Sequence, residues 1–501
     1  MTWGRVVAAW TWLERHPVRT LGLSFVLAAL LRLPFLTWPL QSDEGGFLMV
    51  AQQWHGPGTA LYTDQWVDRP PLLLLVFKLA AWIEPTPLVL RLMSLGFGLL
   101  AIAASWWAGR IINGAAGAAT AAVLACVLYS SYAYDGFALT GESIAGAMVM
   151  ISCALVLQAK YGTSSPQTGI VLALAAGIFV SSAFLTKQNF VDGGLFAFTL
   201  LVVKPHKTWR LMVAGAVGLA IPLLVATSWA VSDEGPGFSR LWVALFRFRQ
   251  RSLEVIREAS TVGPVHRLQT LGMLVVVTGI VLLMWQLLSA ARQVESRRSL
   301  RIALVVMLVY VTVSILLGAS WWRHYLIQLA PVLSMGAALA TRRGVGWLRL
   351  HVPDSVVVVA SLIATITGLT VVARDEVPGR TNEVIAAYLR AAAEPGDSLV
   401  LAYGDPQVIE QSGLSTPYKY SWSLPVRGRD PHLHELVAVL NGPTAPTWIL
   451  EIGDFDWWYL DTDEFARTRA ERYHRVATVC GHDLYQLDGV ERSYPPLPAC
   501  P

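Results

Sequence analysis

The 501-residue chain is too apolar for a soluble protein. It is 54% hydrophobic and only 14% charged, whereas soluble globular domains carry about 25% charged residues. Several apolar runs reach about 18 residues, the length that crosses a bilayer as a helix. The net charge of +4 is too small to predict binding to nucleic acid. The composition therefore predicts a polytopic α-helical membrane protein.

Eleven membrane spans are predicted along the first three quarters of the chain. They lie at about 20–40, 88–109, 113–133, 140–159, 167–186, 189–203, 209–231, 268–290, 301–320, 324–341 and 353–373. The apolar run at 70–83 has only about 14 residues, which is short for a hydrocarbon core of roughly 30 Å. We therefore expect it to be interfacial or re-entrant, within a first outer loop at about 41–87.

The distribution of basic residues predicts the orientation. Arg110, Lys160 and Arg292 fall in connections that this order of spans assigns to the cytoplasm, as the positive-inside rule requires. The N-terminus is then cytoplasmic, and the first loop and the C-terminal tail are extracytoplasmic. Residues 1–373 form the predicted membrane domain.

One connection departs from the positive-inside rule. The amphipathic stretch 238–258 is assigned to the outside, yet it carries five arginines: Arg240, Arg247, Arg249, Arg251 and Arg257. Three interpretations stay open. The order of spans is wrong, the stretch is a surface helix on lipid headgroups, or its arginines bind an anion at the outer interface.

Residues 374–501 have the composition of a soluble domain. Segments 398–403 and 447–452 are typical of buried strands, and 381–393, 431–441 and 461–473 of helices. The alternation predicts a small extracytoplasmic α/β domain. Cys480 and Cys500 lie in this tail and can form a disulfide outside the cytoplasm, whereas Cys126 and Cys153 lie in apolar spans as packing residues.

Two acids, Asp43 and Glu44, follow the first span directly. Charges at membrane depth are costly and usually mark a function. Asp43 would be rigidly placed yet accessible to water, as a general base requires. The alternatives are structural: Asp43 as the N-cap of a helix at 44–54, and Glu44 as a first-turn acid favoured by the helix dipole.

A second motif in the first loop begins at Tyr62 and ends in Asp68, Arg69 and two prolines. The prolines restrict the backbone and so fix the direction of Arg69. This predicts a phosphate-binding arginine, with Tyr62 and Asp68 as further substrate-binding candidates. A plain surface ion pair before a stiff turn is the alternative.

Further candidates lie at the outer ends of later spans. Glu142 would position an acceptor or orient a cation. Lys187 and the sequence Arg323-His324-Tyr325 are candidate phosphate or sugar ligands, with snorkelling towards the interface as the alternative. A reaction on a lipid-phosphate donor needs a carboxylate at the acceptor and cations on the leaving phosphate. The chain has both.

In order and spacing over roughly residues 20–340, these motifs resemble the GT-C-fold glycosyltransferases. They are most similar to the protein O-mannosyltransferases and aminoarabinose transferases, and the segment 388–404 is similar to the C-terminal domain of many bacterial members. The resemblance implies Asp43 as catalytic base and Asp68-Arg69-Pro70-Pro71 as the donor-phosphate motif. The family has a lysine at the position of Arg69, so a planar guanidinium takes the place of a point charge here. Glu142 stands where a second acid, more often aspartate, is found.

The function expected from the residues and the resemblance is an inverting glycosyltransferase of the bacterial plasma membrane. It would move a hexosyl or pentosyl group from a polyprenyl-phosphate donor to a glycan, lipid or protein hydroxyl at the outer face. Membrane lipids are its other partners. No cofactor is required, and a divalent metal near Asp43, Glu44 and Asp68 is left open.

Two other classes of function are left open. A lipid or polymer transporter or flippase fits the many spans, but it predicts functional charges at the bilayer midplane and two related halves. The chain shows no such repeat. A membrane sensor with a ligand-binding outer domain is the other alternative, and deletion of 375–501 would distinguish it from an enzyme.

Overall fold

The computed structural model of the chain describes residues 3–54, 61–203, 205–258, 262–294, 297–341, 347–374, 377–402, 404–452 and 460–501. Position 403, the last residue of one predicted strand, lies outside these ranges. Helices make up most of the described chain, and a small sheet lies near the C-terminus.

Sixteen of the described helices precede the C-terminal region. They are α1 (Trp3–Arg15), α2 (Pro17–Arg32), α3 (Ser42–Gln53), α4 (Pro71–Ile83), α5 (Pro87–Ser130), α6 (Gly141–Leu157), α7 (Pro166–Thr186), α8 (Asp192–Val202), α9 (Pro205–Val231), α10 (Phe238–Trp242), α11 (Phe248–Glu258), α12 (Val262–Val277), α13 (Ile280–Gln293), α14 (Arg298–Leu317), α15 (Ala330–Ala340) and α16 (Trp347–Ala373). Wider π turns continue α6 over Gln158–Gly162 and join α10 to α11, and a 3-10 turn at Arg323–Leu329 leads into α15.

Seven of the helices in the described ranges are long and apolar enough to cross a bilayer, or eight if the bent pair α12 and α13 is one crossing. The pair bends by 62° at Gly279, whose φ of +80° suits glycine. The sequence predicted one uninterrupted span there. Helix α5 would be about 66 Å long at 1.5 Å per residue, but non-helical backbone at Asn113 and Gly114 breaks it near the predicted boundary between two spans.

Two further apolar helices are short. Helix α4 has 13 residues, about 20 Å, which agrees with the prediction that this run does not cross the membrane. Helix α8 has 11 residues, where the sequence predicted a span at 189–203. The total of eleven crossings therefore stays a prediction.

The C-terminal region has the mixed α/β composition predicted for it. Its elements are α17 (Arg380–Ala392), β1 (Leu399–Ala402), α18 (Gln407–Ser412), α19 (Ser423–Arg429), α20 (His434–Asn441), β2 (Trp448–Glu451), α21 (Asp463–Arg472), β3 (Tyr473–Val479) and β4 (His482–Leu487). The sheet order is β1-β2-β4-β3, with β1 and β2 parallel and the other pairs antiparallel.

The hairpin β3–β4 was not predicted from the sequence. Buried and exposed positions do not alternate along β3, so the period-two signal of a half-buried strand is missing. The turn of the hairpin is Cys480–Gly481, and both residues have positive φ. Cys480 forms a disulfide with Cys500, one of the two states that the sequence left open.

The first outer loop and the C-terminal region share one hydrophobic core. Leu48 and Phe77 of the loop lie in the same buried cluster as Leu399 and Trp448 of the sheet. Gly45 of α3 packs so closely on Gln407 of α18 that an added Cβ would overlap its backbone and Cβ. The C-terminal region is therefore seated directly on α3, the helix that carries Asp43.

Candidate active site

Asp43 occupies the second position of α3 and keeps an accessible carboxylate. Its side chain is 50% exposed. Its Oδ1 accepts a hydrogen bond from Trp422 Nε1 at 3.1 Å, and its Oδ2 lies 3.9 Å from the Arg69 guanidinium. The N-cap of α3 is Gln41, so the interpretation of Asp43 as an N-cap is wrong. A negative charge at this position is still favoured by the dipole of α3.

Arg69 is fixed by its neighbours in the first loop. Its guanidinium contacts Asp68 Oδ1 at 2.5 Å, and its carbonyl accepts a hydrogen bond from the Tyr62 hydroxyl at 2.7 Å. Pro70 is the N-cap of α4 and Pro71 its first residue. The turn of the backbone after Arg69 is thus set by two residues with restricted φ, as the motif predicted. Tyr62 therefore supports Arg69 from the buried side of the loop.

Arg249 adds a second guanidinium to this site from α11. It lies 3.8 Å from Asp68 Oδ2, and the Gln188 amide ties the two segments together by donating to the carbonyls of Asp68 and Leu245. Of the three interpretations of 238–258, a helix that merely lies on lipid headgroups does not fit, because Phe248 is buried against Trp66 of the first loop.

Burial and charge oppose each other at this ion cluster. Burial alone would raise the pKa of Asp68, but Arg69 and Arg249 outweigh it and lower that pKa below its usual value. Burial would lower the pKa of Arg69, but the carboxylates of Asp68 and Asp43 raise it instead. Both groups are therefore charged at neutral pH, with the Arg69 cation placed beside the half-exposed Asp43.

Glu44 has a structural environment and does not reach the exposed side of Asp43. Its side chain is 1% exposed and pairs with the equally buried Arg91 of α5. Its oxygens also accept from the backbone N–H of Leu139 at 2.8 Å and of Gln41 at 3.1 Å. These contacts match the alternative of a first-turn acid. The catalytic assignment of Glu44 is not supported by this geometry, because its carboxylate is already fully engaged.

Glu142 and Lys187 form a buried ion pair at the ends of α6 and α7. His324 Nε2 lies 3.7 Å from Glu142, and the Lys187 ammonium lies 4.5 Å from the centroid of the Tyr325 ring. Lys187 is only 7% exposed, so the snorkelling interpretation does not fit it. Arg69 is close enough to Glu142 and Tyr325 to interact with both electrostatically, which joins this cluster to the Asp43 site.

Asp135 is a further charged residue of the predicted outer face, and it extends this second cluster. It pairs with Arg323, and its other oxygen lies 3.6 Å from His324 Nδ1. His324 thus stands between Asp135 and Glu142. Asp135 has a φ of +52°, a conformation that aspartate tolerates better than most residues, in the turn between α5 and α6.

No group of three His, Cys, Asp or Glu side chains suited to a metal ion occurs in the part of the chain that the structure describes. Glu44 and Asp68, two of the three carboxylates considered for a metal, are each paired with arginine. These carboxylates therefore do not form a ligand set, and the involvement of a divalent metal stays an open prediction.

The contact of Trp422 with Asp43 could not be predicted from the sequence. Trp422 follows Asp43 by 379 positions and lies next to α19 in the C-terminal region. No local pattern around it differs from that of a buried aromatic residue. The sequence did indicate the stretch that contains Arg249, because its arginines depart from the positive-inside rule. It could not single out Arg249 among the five arginines of that stretch.

Comparison with known proteins identifies the fold. No protein-family model and no curated protein matches the chain. The crystal structure of ArnT from Cupriavidus metallidurans bound to undecaprenyl phosphate is similar, with a TM-score of 0.65 and 14% identity, over 93% of this chain and 97% of that chain. The chain has the fold of ArnT. The resemblance to GT-C enzymes that the motifs indicated is confirmed at this level.

The archaeal oligosaccharyltransferase of Archaeoglobus fulgidus shares this GT-C fold. The structure tethered to an acceptor peptide has a TM-score of 0.57 and 12% identity, over 97% of this chain and 74% of that chain. The complex of the same organism's AglB with an inhibitory peptide and a dolichol-phosphate has a TM-score of 0.54 and 13% identity, over 87% and 69% of the two chains. At such identities the similarity establishes a polytopic membrane fold and leaves the chemistry to the residues.

Proposed function

We propose that the protein is an integral-membrane inverting glycosyltransferase. It takes a sugar from a polyprenyl-phosphate donor and transfers it to an acceptor hydroxyl at the extracytoplasmic face of a bacterial plasma membrane. The observation that carries the proposal is the half-exposed Asp43 carboxylate 3.9 Å from the Arg69 guanidinium, with Arg249 on the other side of Asp68, the carboxylate that Arg69 also contacts. One base and two cations at the end of a membrane helix are the groups that this reaction needs.

Asp43 acts as the general base. Its accessible oxygen takes the proton of the acceptor hydroxyl while the hydroxyl oxygen forms a bond to the anomeric carbon. The bond from that carbon to the phosphate oxygen breaks, and its electron pair leaves with polyprenyl phosphate. Attack opposite the leaving phosphate inverts the anomeric carbon in one displacement. Trp422 orients the base through its hydrogen bond to Oδ1.

Arg69 and Arg249 stabilise the charge that grows on the leaving phosphate. A guanidinium presents two parallel donors to phosphate oxygens, and Asp68 orients both groups. Lys187 lies within electrostatic range of Arg69 and Arg249 and adds positive charge at the same place. The pair of Glu142 and Lys187, with His324 and Tyr325, lines the neighbouring region where the sugar or the acceptor is bound.

The ligands of the similar structures support this class of donor. ArnT was crystallised with undecaprenyl phosphate, and AglB was solved with a dolichol-phosphate. Both ligands are polyprenyl phosphates, which is the leaving group that the proposed reaction releases. Neither ligand indicates which sugar is transferred or which acceptor receives it.

The proposal is tested by turnover of lipid-linked sugar in reconstituted membranes. Polyprenyl-phosphate mannose and polyprenyl-phosphate aminoarabinose serve as donors. Asp43→Asn should lower turnover by about 100-fold or more, the range of general-base catalysis, because it removes the proton acceptor and preserves the shape. Arg69→Ala should lower it through loss of phosphate binding. Glu84→Gln, an exposed carboxylate at the end of α4, is the matched control and should be neutral. Unchanged turnover in both site variants would refute the mechanism.

A further inference from the structure

A cavity of about 570 Å³ lies at the end of the helix bundle opposite the candidate active site. It is lined by the π turn after α6, the start of α7 and the start of α9. Helix α7 runs from this cavity to Lys187 over 21 residues, about 31 Å at 1.5 Å per residue. The cavity and the active site are thus separated by about the thickness of a hydrocarbon core.

The lining of the cavity is chemically suited to an anion. Lys160 and Arg210 are its two cations, and its hydroxyl groups belong to Tyr161, Thr163, Ser164, Ser165 and Thr208. Arg210 is exposed and lies against the ring of Trp209, 5.5 Å from its centroid. The N-terminus of α7, capped by Ser165, adds the positive end of a long helix dipole.

Lys160 is held in place by the protein. Its ammonium donates to the Leu200 carbonyl at the end of α8 and to Ser299 Oγ at 3.2 Å. The π turn that carries it, Gln158–Gly162, widens the helix at this point. Such turns interrupt α-helices frequently at functional sites. Lys160, which lines the cavity, is therefore fixed by partners outside the lining, while Arg210 is the exposed cation of the cavity.

The surface beside the cavity is apolar. Val171 of α7 and Val213 and Val217 of α9 expose about half or more of their side chains, and Trp209 is 55% exposed. Exposed valines on membrane helices face lipid chains, and tryptophan favours the membrane-water interface. A ligand that spans the cavity and this strip has an anionic head and apolar chains.

We propose that this cavity binds the phosphate headgroup of an anionic membrane lipid, in the leaflet opposite the active site. The phosphate lies between Lys160, Arg210 and the first turn of α7, and the acyl chains lie along the valines of α7 and α9. Under the topology predicted from the sequence, this is the cytoplasmic leaflet. Anionic lipids occur in that leaflet, and basic pockets between membrane helices bind their headgroups. The site is independent of sugar transfer.

Native mass spectrometry of the purified full-length protein tests this site without any turnover assay. The probes are phosphatidylglycerol, phosphatidylcholine and inorganic phosphate. The wild type should retain phosphatidylglycerol in preference to phosphatidylcholine. Arg210→Gln should weaken that retention by roughly fivefold, the share of one basic residue near an anionic lipid. Ser164→Glu, which puts a negative charge into the cavity without removing a packing group, should weaken it at least as much.

Arg110→Gln is the matched control. Arg110 is also exposed and also lies 5.5 Å from the centroid of a tryptophan ring, that of Trp106, but it does not line the cavity. Its variant should retain lipid like the wild type. Equal retention by wild type, Arg210→Gln and Ser164→Glu would overturn the site, as would an equal loss in Arg110→Gln. Displacement of the lipid by millimolar inorganic phosphate would identify a free phosphate site and overturn the lipid assignment.

Discussion

Adjacent residues of one motif have opposite environments in this protein. Asp43 is half exposed beside Arg69, whereas Glu44 is buried against Arg91. A helix rotates by about 100° per residue, so neighbouring acids at its start point in different directions. The acidic pair that the sequence presents as a unit is therefore one candidate base and one structural anchor.

This division predicts different effects of two similar substitutions. Glu44→Gln leaves Arg91 buried without its counter-charge, and breaking a buried pair in this way costs about 3–5 kcal/mol. Thermal unfolding in detergent should show a large drop in Tm for Glu44→Gln and little change for Asp43→Asn. If both variants unfolded at the same temperature, the structural role of Glu44 would be wrong.

At the scale of secondary-structure elements, some contacts join elements whose own sequences do not indicate that they meet. The strand β1 follows Asp397, whose carboxylate accepts hydrogen bonds from Arg492, Trp448 and Thr447. These donors come from two other places in the C-terminal region, the start of β2 and the segment after β4. Burial alone would raise the pKa of Asp397, but the hydrogen bonds, first that from Arg492, lower it to about 2.

The C-terminal sheet should therefore lose stability in acid. A carboxyl group whose pKa is depressed by folding stabilises the fold above its ordinary pKa, and that contribution is lost as pH falls through the depressed value. For Asp397 the loss occurs between about pH 4 and pH 2. The protection of the β1 and β2 amides against hydrogen exchange should therefore fall over this pH range.

Asp397→Asn is the comparison for that experiment. In this variant the β1 and β2 amides should be less protected against exchange than in the wild type at neutral pH. Their protection should also change less with pH in the acid range. An identical acid response in the variant would show that other groups control the stability of this sheet.

At the scale of the whole molecule, the membrane bundle and the C-terminal region are joined through α3. Gly45 meets Gln407, Gly46 meets Trp422, and Gln52 donates a hydrogen bond to Glu410. Deletion of 375–501 would uncover this face and remove Trp422 from Asp43. The truncation that the sequence suggested therefore does not separate an enzyme from a sensor, because both would lose function.

A single methyl group tests this junction more sharply. In Gly45→Ala the new Cβ overlaps Gln407, and overpacking of this kind costs about 1–3 kcal/mol. Limited proteolysis should release the C-terminal region faster than in the wild type, with turnover reduced. Gly22→Ala in α2, where a Cβ meets no atom within 4 Å, is the control. Equal proteolysis of both variants would contradict the importance of this contact.

The sequence alone determined the features that depend on composition and on neighbouring residues. Apolar runs of membrane length specify the helices, because lipid admits no unpaired backbone. The two prolines fix the backbone beside Arg69, and the alternation of strands and helices gives the class of the C-terminal region. These signals are local, so they can be interpreted without a fold.

Only the tertiary structure decided which charges meet. The pairs of Glu44 with Arg91 and of Glu142 with Lys187, and the contact of Trp422 with Asp43, join residues that are 47, 45 and 379 positions apart. A buried charge needs a partner, but many candidates satisfy that need equally in the sequence. The packing of the membrane helices and of the C-terminal region selects among them, and it leaves Asp43 exposed beside Arg69.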